Sequence, residues 1–321
     1  MKHTVVMGIA AALALTAVSA QAESFPTGPV TIINPYAAGG PADLIARTVA
    51  EGMSSRLGQP VVVENRPGAA TAIAATAVAQ AKPDGQTLLI AGSPTHVVTP
   101  ALQQVNYDGI KDFAPVAMVA LVPNVLVVAK KSGITTVDAL VAKAKAEANA
   151  VSFASVGNGS LPHLSSVFFS QQAGLTMVHI PYKGAAPAVV DLLAGNVDMG
   201  FLNAPPLVAH FDSGDLIALG IAASKRSRKL PDVPTMDELG YKEFEMSTWY
   251  GISAPAGTPA AVVKALDDAI AASLQTAEIG DKLANQGVEV FYMPSAEFTS
   301  YLAKDATRML SLIDAAGLET K

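Results

Sequence analysis

Ser160 and His163 stand three apart, with Asp191 and Asp198 downstream, and these are the residues whose types could build a nucleophilic triad. The chemistry would be acyl transfer, which on an α/β scaffold needs the nucleophile elbow G-x-S-x-G; the chain contains none. Metal chemistry would draw on His96, His163, His179 and His210, but these are scattered, without H-E-x-x-H spacing or paired carboxylates. The chain has no cysteine, which excludes disulfides, thiolate metal sites and cysteine nucleophiles together. The expectation is a protein that is not an enzyme and carries neither metal nor cofactor.

What the residues suit instead is anion binding. PYAAGGPAD, Pro35 to Asp43, joins the strand-like run VTIIN to a helical pattern. It lacks the lysine of a phosphate loop and the G-x-G-x-x-G of a dinucleotide site. Gly39 and Gly40 allow close backbone approach, Pro41 suits a first helical position, and the N–H groups of a helix start attract a carboxylate. Asp43 reads as a helix-start cap that could also meet an amino group on a ligand. SVGNGSLPHLSS, Ser155 to Ser166, is a second such turn, with Gly157, Asn158 and Gly159 at the junction, Ser160 as a natural N-cap and His163 in the first turn. PYKGAAPAVVDLL, Pro181 to Leu193, is a third, carrying Lys183 and Gly184. GSPTH supplies Ser93, Thr95 and His96, and FLNAPP supplies Asn203. Each group lies at the C-terminal end of a strand, where open α/β sheets bind ligands.

The elements that must position these turns alternate. Strands are expected at Val30 to Asn34, Val61 to Asn65, Thr87 to Ser93, Val125 to Lys131, Val151 to Ser155, Met177 to Tyr182, Val197 to Asn203, Ile217 to Ser224 and Tyr250 to Gly257. Helical patterns lie between them, and the runs are continuously apolar, which implies mostly parallel sheets covered on both faces. Residues from about Lys130 to Lys242 form a self-contained β-α set, whereas the tail after Gly257 is all helical and needs a sheet to cover, the first one. The expected architecture is α/β with two lobes and two crossovers: 23–124 with 250–321 as a discontinuous first lobe, and 125–249 as the second. The hinge would then lie at Pro123-Asn124 and near Trp249, the single tryptophan.

Residues 1–22 carry Lys2, an apolar run from Val5 to Val18 and Ala20-Gln21-Ala22, the layout of a signal peptide cleaved after Ala22. Its removal takes one lysine and no acid, so the net charge of -6 becomes -7. That balance argues against nucleic acid or an anionic membrane as partner. Residues 23–321 are enough for one large or two medium domains. A free, periplasmic monomer is expected.

The stretches PVTIINPYAAGGPADLIART, LGQPVVVENRPGAATAIAA, KPDGQTLLIAG, FASVGNGSLPHLSS, MVHIPYKGAAPAVVDLLAGNVDMGF and WYGISAPAGTP resemble the periplasmic receptors of tripartite tricarboxylate transporters, the Bug or TctC-like proteins. The resemblance runs in order along the whole mature chain. It implies a Venus-flytrap, type II periplasmic-binding-protein fold that captures a small di- or tricarboxylate and hands it to the membrane components of such a transporter. The alternative use of the same closure is a carboxylate-sensing receptor with a signalling partner. Carried over, the ligand contacts would be Tyr36, Ala38, Gly39, Gly40, Ser93 and Thr95 in the first lobe. Those in the second would be Ser155, Asn158, Ser160, His163, Lys183, Gly184 and Asn203. Where the family often has Asp-Asn after the GxVxMxF strand, this chain has Leu202-Asn203, which disfavours a cationic ligand group. Pairing PYAAGG with VGNGSLPH predicts a ligand with two anionic ends, one per lobe.

Overall fold

The computed structural model describes residues 25–320, so the expected signal peptide lies outside the described residues. In chain order the elements are β1 (Val30–Asn34), α1 (Pro41–Leu57), β2 (Val61–Asn65), α2 (Ala72–Ala79), β3 (Thr87–Ala91), α3 (Thr99–Leu102) and β4 (Phe113–Ala129). There follow α4 (Val137–Ala146), β5 (Ser152–Ser155), α5 (Leu161–Ala173), β6 (Val178–Pro181), α6 (Ala185–Ala194), β7 (Met199–Asn203), α7 (Val208–Ser213) and β8 (Leu216–Ala222). The chain closes with β9 (Ser247–Pro255), α8 (Ala260–Leu274), α9 (Ala277–Ala284), β10 (Glu289–Pro294) and α10 (Ser295–Ala315). Local chemistry sets several boundaries. Gly58 ends α1 in the left-handed region (φ 65°) and returns its N–H to Ser54, while Thr136 and Ser160 cap α4 and α5 through their side chains.

The strands run in the order β2-β1-β3-β9-β4-β7-β5-β6, with β8 and β10 also on β4. The 17-residue β4 is the spine. Its first half pairs with β9 and β10, and from Asn124 it pairs with β7 and β8. Two half-sheets therefore share one strand, each with its own core. Ile32, Val49, Met53, Ile252 and Ile270 pack in the first, and Leu126, Phe153, Leu164, Phe169, Phe201 and Phe244 in the second.

Three expectations need correction. The sheets are not mostly parallel: β1–β2, β1–β3, β5–β6 and β5–β7 are parallel, but every ladder made by β4 or β9 is antiparallel. The strands that join the halves must run against the βα units they connect. The tail is not all helical either, because β10 adds an antiparallel strand to β4. Nor does the tail cover only the first sheet. Phe298 and Leu302 of α10 pack on Met118 and Trp249, but Met309 and Ile313 reach the second core.

Candidate ligand-binding site

The first-lobe turn is built by side chains that bond its own backbone. Asn34, fully buried at the end of β1, accepts from the Tyr36 N–H (3.2 Å). Asn65, at the matching end of β2, donates to the Tyr36 carbonyl (3.1 Å) and to Asp43 (2.9 Å). Asp43 accepts the Gly39 N–H (3.0 Å) and pairs with Arg47 (3.0 Å). Burial would raise the Asp43 carboxyl, but the bonds from Arg47, Gly39 and Asn65 outweigh it and hold it below the usual carboxylate range. Its lone pairs serve the turn, so it is a structural clamp. Gly39 takes φ 84°, which suits a residue without Cβ, and Gly40 starts α1 without a side-chain cap. The amides of Ala37 and Ala38 have no hydrogen-bond partner among the described residues, and Ala37 to Gly39 are exposed.

Tyr36 is half-buried beside Thr95, and desolvation pushes its phenol up to about 12 despite that neighbour. Thr95 is fully buried, and its hydroxyl has the Tyr36 phenol as its one polar neighbour, too loosely placed for a full hydrogen bond. Ser93 is different: its hydroxyl donates to Asp305 of α10 at 2.6 Å. His96 is a core residue, stacked on Trp249 with Nδ1 against the Gly109 carbonyl, and burial lowers its pKa to about 4.

In the second lobe, hydroxyls shape the turn. Ser155 and Ser160 both donate to the Gly157 carbonyl (3.1 and 2.6 Å), and Ser160 accepts the His163 N–H (3.4 Å). His163 accepts the Gly159 N–H at Nδ1 (3.2 Å) and stacks on His179 with ring centroids 3.9 Å apart. Burial, and then His179, lowers the pKa of His163 to about 4, so it is neutral at physiological pH. It is a packed turn residue, 6% exposed. Asn158 is exposed at the tip. The neighbouring β6–α6 turn holds exposed Lys183, and Gly184 takes φ 117° at an uncapped helix start. Asn203 does not stand free at its strand end. It donates to Asn124 (2.9 Å) and Thr248 (3.1 Å), and Asn124 donates to Ser165 (3.1 Å). This polar ladder sits where β4 passes from one half-sheet to the other.

The structure thus gathers Tyr36, Ala38, Gly39, Gly40 and Thr95 on the first half, and Ser155 to His163 with Lys183 and Gly184 on the second. The halves meet where Gly159 lies against Val98 and Leu102. Open hollows of about 290 and 450 Å³ occur elsewhere, lined around Glu51 and Lys282 and around Glu243 and Arg308, and neither includes a candidate residue. Sequence reasoning missed Asn34, Asn65 and Asp305, and named Asn124 only as part of the hinge. The first two carried a signal, since VTIIN and VVVEN both end in asparagine.

Two α/β lobes sharing a spine strand, with glycine turns at the strand ends of each, define a periplasmic binding protein of the two-lobed class. Its residues 45–318 match the family model described as the tripartite tricarboxylate transporter family receptor, TctC. BugT of Bordetella pertussis is 38% identical over 318 residues, which is 98% of this chain and 98% of BugT. Rpa4515 of R. palustris with adipate superposes with a TM-score of 0.85 at 31% identity, over 92% of this chain and 99% of that one. MatC from Rhodopseudomonas palustris with bound malate gives 0.77 at 31% identity, over 90% of this chain and 100% of that one. The chain belongs to the TctC family of solute-binding receptors. It is a binding protein and not an enzyme.

Proposed function

We propose that the protein captures a small organic di- or tricarboxylate in the periplasm and presents it to the membrane components of a tripartite tricarboxylate transporter. The carrying observation is the first-lobe turn. Ala37 and Ala38 offer amides without protein partners just before an uncapped helix start, and no lysine or arginine stands within Pro35 to Asp43. Such a site suits a carboxylate held through N–H groups. The adipate and malate of the two R. palustris proteins are both dicarboxylates, which supports the same ligand class here.

In this reading the export signal is cleaved after Ala22 and the mature chain acts as a monomer. The first lobe comprises 23–124 and 250–321, and the second 125–249. A diacid bridges the turns of the two lobes, and its second carboxylate supplies the extra affinity for the closed state that closure requires. Each end gains charge-assisted hydrogen bonds of about 1.5–3 kcal/mol apiece. A thermal-shift screen over malate, citrate, adipate and terephthalate tests the ligand class. A ligand at about 100 times its Kd adds roughly 2.7 kcal/mol of stability. Absence of any shift across the panel, with no heat of binding in calorimetry, would refute the reading.

A further inference from the structure

Asp305 lies in the middle of α10, on the buried stripe Phe298, Leu302, Asp305, Met309, Ile313. Its side chain is 1% exposed. A carboxylate there is unfavourable unless donors replace its water, and the donors come from three parts of the fold. Oδ2 accepts the Ser93 hydroxyl at 2.6 Å and the indole Nε1–H of Trp249 at 2.8 Å. Oδ1 pairs with Arg308 at 3.3 Å, and Arg308 also donates to the backbone carbonyl of Glu245.

These partners matter for where they sit. Ser93 opens the turn that carries Thr95. Trp249 is on β9 two residues after its start, beside Leu121 of β4, where the chain has just returned to the first lobe. Glu245 is in the segment that leads to β9, and its neighbour Met246 bonds to Ala222 of β8 in the second half-sheet. One carboxylate therefore joins a candidate ligand turn, the return crossing and, through Arg308, the segment arriving from the second lobe.

We infer that Asp305 is a positioning residue for ligand capture. It holds the Ser93–Thr95 turn in its receiving shape and couples that turn to the crossing at Trp249, without touching the ligand itself. Ser93 accordingly acts on the ligand through the backbone it fixes, since its hydroxyl proton is engaged by Asp305. The inference rests on the reading of the strand-end turns as the carboxylate site.

The test compares Asp305→Asn with Leu302→Ala in the mature protein. Leu302 packs on the same helix face without a polar contact, so its variant reports loss of packing alone. Both should lower Tm. Asp305→Asn should also weaken the tightest ligand among malate, citrate, adipate and terephthalate about tenfold. Leu302→Ala should retain wild-type affinity. Amide hydrogen exchange on ligand-free protein reads the positioning by itself. Exchange at residues 93–99 should rise in Asp305→Asn at temperatures equally far below each variant's Tm, and stay near wild type in Leu302→Ala. Wild-type affinity with unchanged exchange in Asp305→Asn overturns the inference. If the wild type binds none of the four acids, the carboxylate reading falls, and the exchange comparison still decides the positioning role.

Discussion

The two glycine turns, one in each half of the molecule, are held by different chemistry. In the first lobe a buried carboxylate, Asp43, gathers a backbone amide, an arginine and an asparagine, and the amides of Ala37 and Ala38 stay open. In the second, serine hydroxyls and a stacked pair of neutral imidazoles hold the turn, with no formal charge in the bonds. A charged clamp fixes a turn rigidly and survives mild acid. A neutral one loosens when its imidazoles protonate. In the proposed site the first turn would be the fixed half and the second the adjustable half.

Removing the clamp should have the largest effect. Asp43→Ala leaves the Gly39 amide without its acceptor and removes the carboxylate that Arg47 and Asn65 share, although these two stay bonded to each other and Asn65 to the Tyr36 carbonyl. It should destabilise the protein by about 3 kcal/mol. Urea unfolding measures it, and a loss under about 1 kcal/mol would erase the contrast between the turns.

Acid should separate the turns next. The folded protein keeps His163 neutral down to about 4, whereas the unfolded chain takes up that proton near ~6.5. The unfolded state binds more protons between these values, so stability is whole above about 6.5 and falls as the pH drops toward 4. His163→Gln should flatten that slope by up to about 3 kcal/mol across the window. His96 adds a parallel loss in the first-lobe core, so the difference between variant and wild-type slopes is the quantity to read. Asp43 has a lowered pKa, so its contribution is whole above about 3.9 and is lost only as the pH falls through the lower folded value. Equal slopes in wild type and His163→Gln would contradict the assignment of the adjustable half.

Converting one carboxylate of the best diacid to an amide should weaken binding about tenfold to a hundredfold, or roughly 1.4–2.7 kcal/mol. Calorimetry that finds equal affinities would reduce the site to a single anion-binding turn. Ser160→Ala removes a cap and should lower stability by about 1 kcal/mol. Its hydroxyl already serves Gly157, so any loss of diacid affinity should be shared by the monoamide. The smallest change in stability belongs to Thr95→Val, within about 0.5 kcal/mol, because the buried hydroxyl has only a loose contact with the Tyr36 phenol to lose. Diacid affinity should still drop about fivefold if the ligand takes that hydroxyl, which a Kd measured alongside Tm will show.

The βα turns were legible because glycine, proline and capping residues mark them locally. The spine strand was only half legible. Pro115 and Pro123 argue against a central strand, so the reading began at Val125. In the fold, the ladder with β9 is irregular just after Pro115, and Pro123 sits at the handover between half-sheets. Both prolines therefore occupy places where pairing is already disturbed. β10 was missed because its residues are half-buried or exposed, without a clean alternation. Asp305 stood on an apolar stripe that placed it inside, but its partners Ser93 and Trp249 lie 212 and 56 residues away. Which hydroxyls are already engaged, and hence which remain for a ligand, depends on such distant contacts.

The shared strand also bears on how the chain acquires its structure after export. The half-sheet of β4 to β8 draws on residues 113–222 in unbroken succession. Its partner cannot close until β9 arrives, since Leu89 pairs with Ser253. Short-range pairings form faster than long-range ones, because less chain must be gathered first. The inserted half should therefore gain protection earlier, with β1 to β3 left as an unfinished, aggregation-prone edge until the C-terminal segment docks. Pulsed hydrogen exchange during refolding would reveal that order as protection of β5 and β7 before β1 and β3. Simultaneous protection of both sets would show instead that β4 recruits the two halves as a single nucleus.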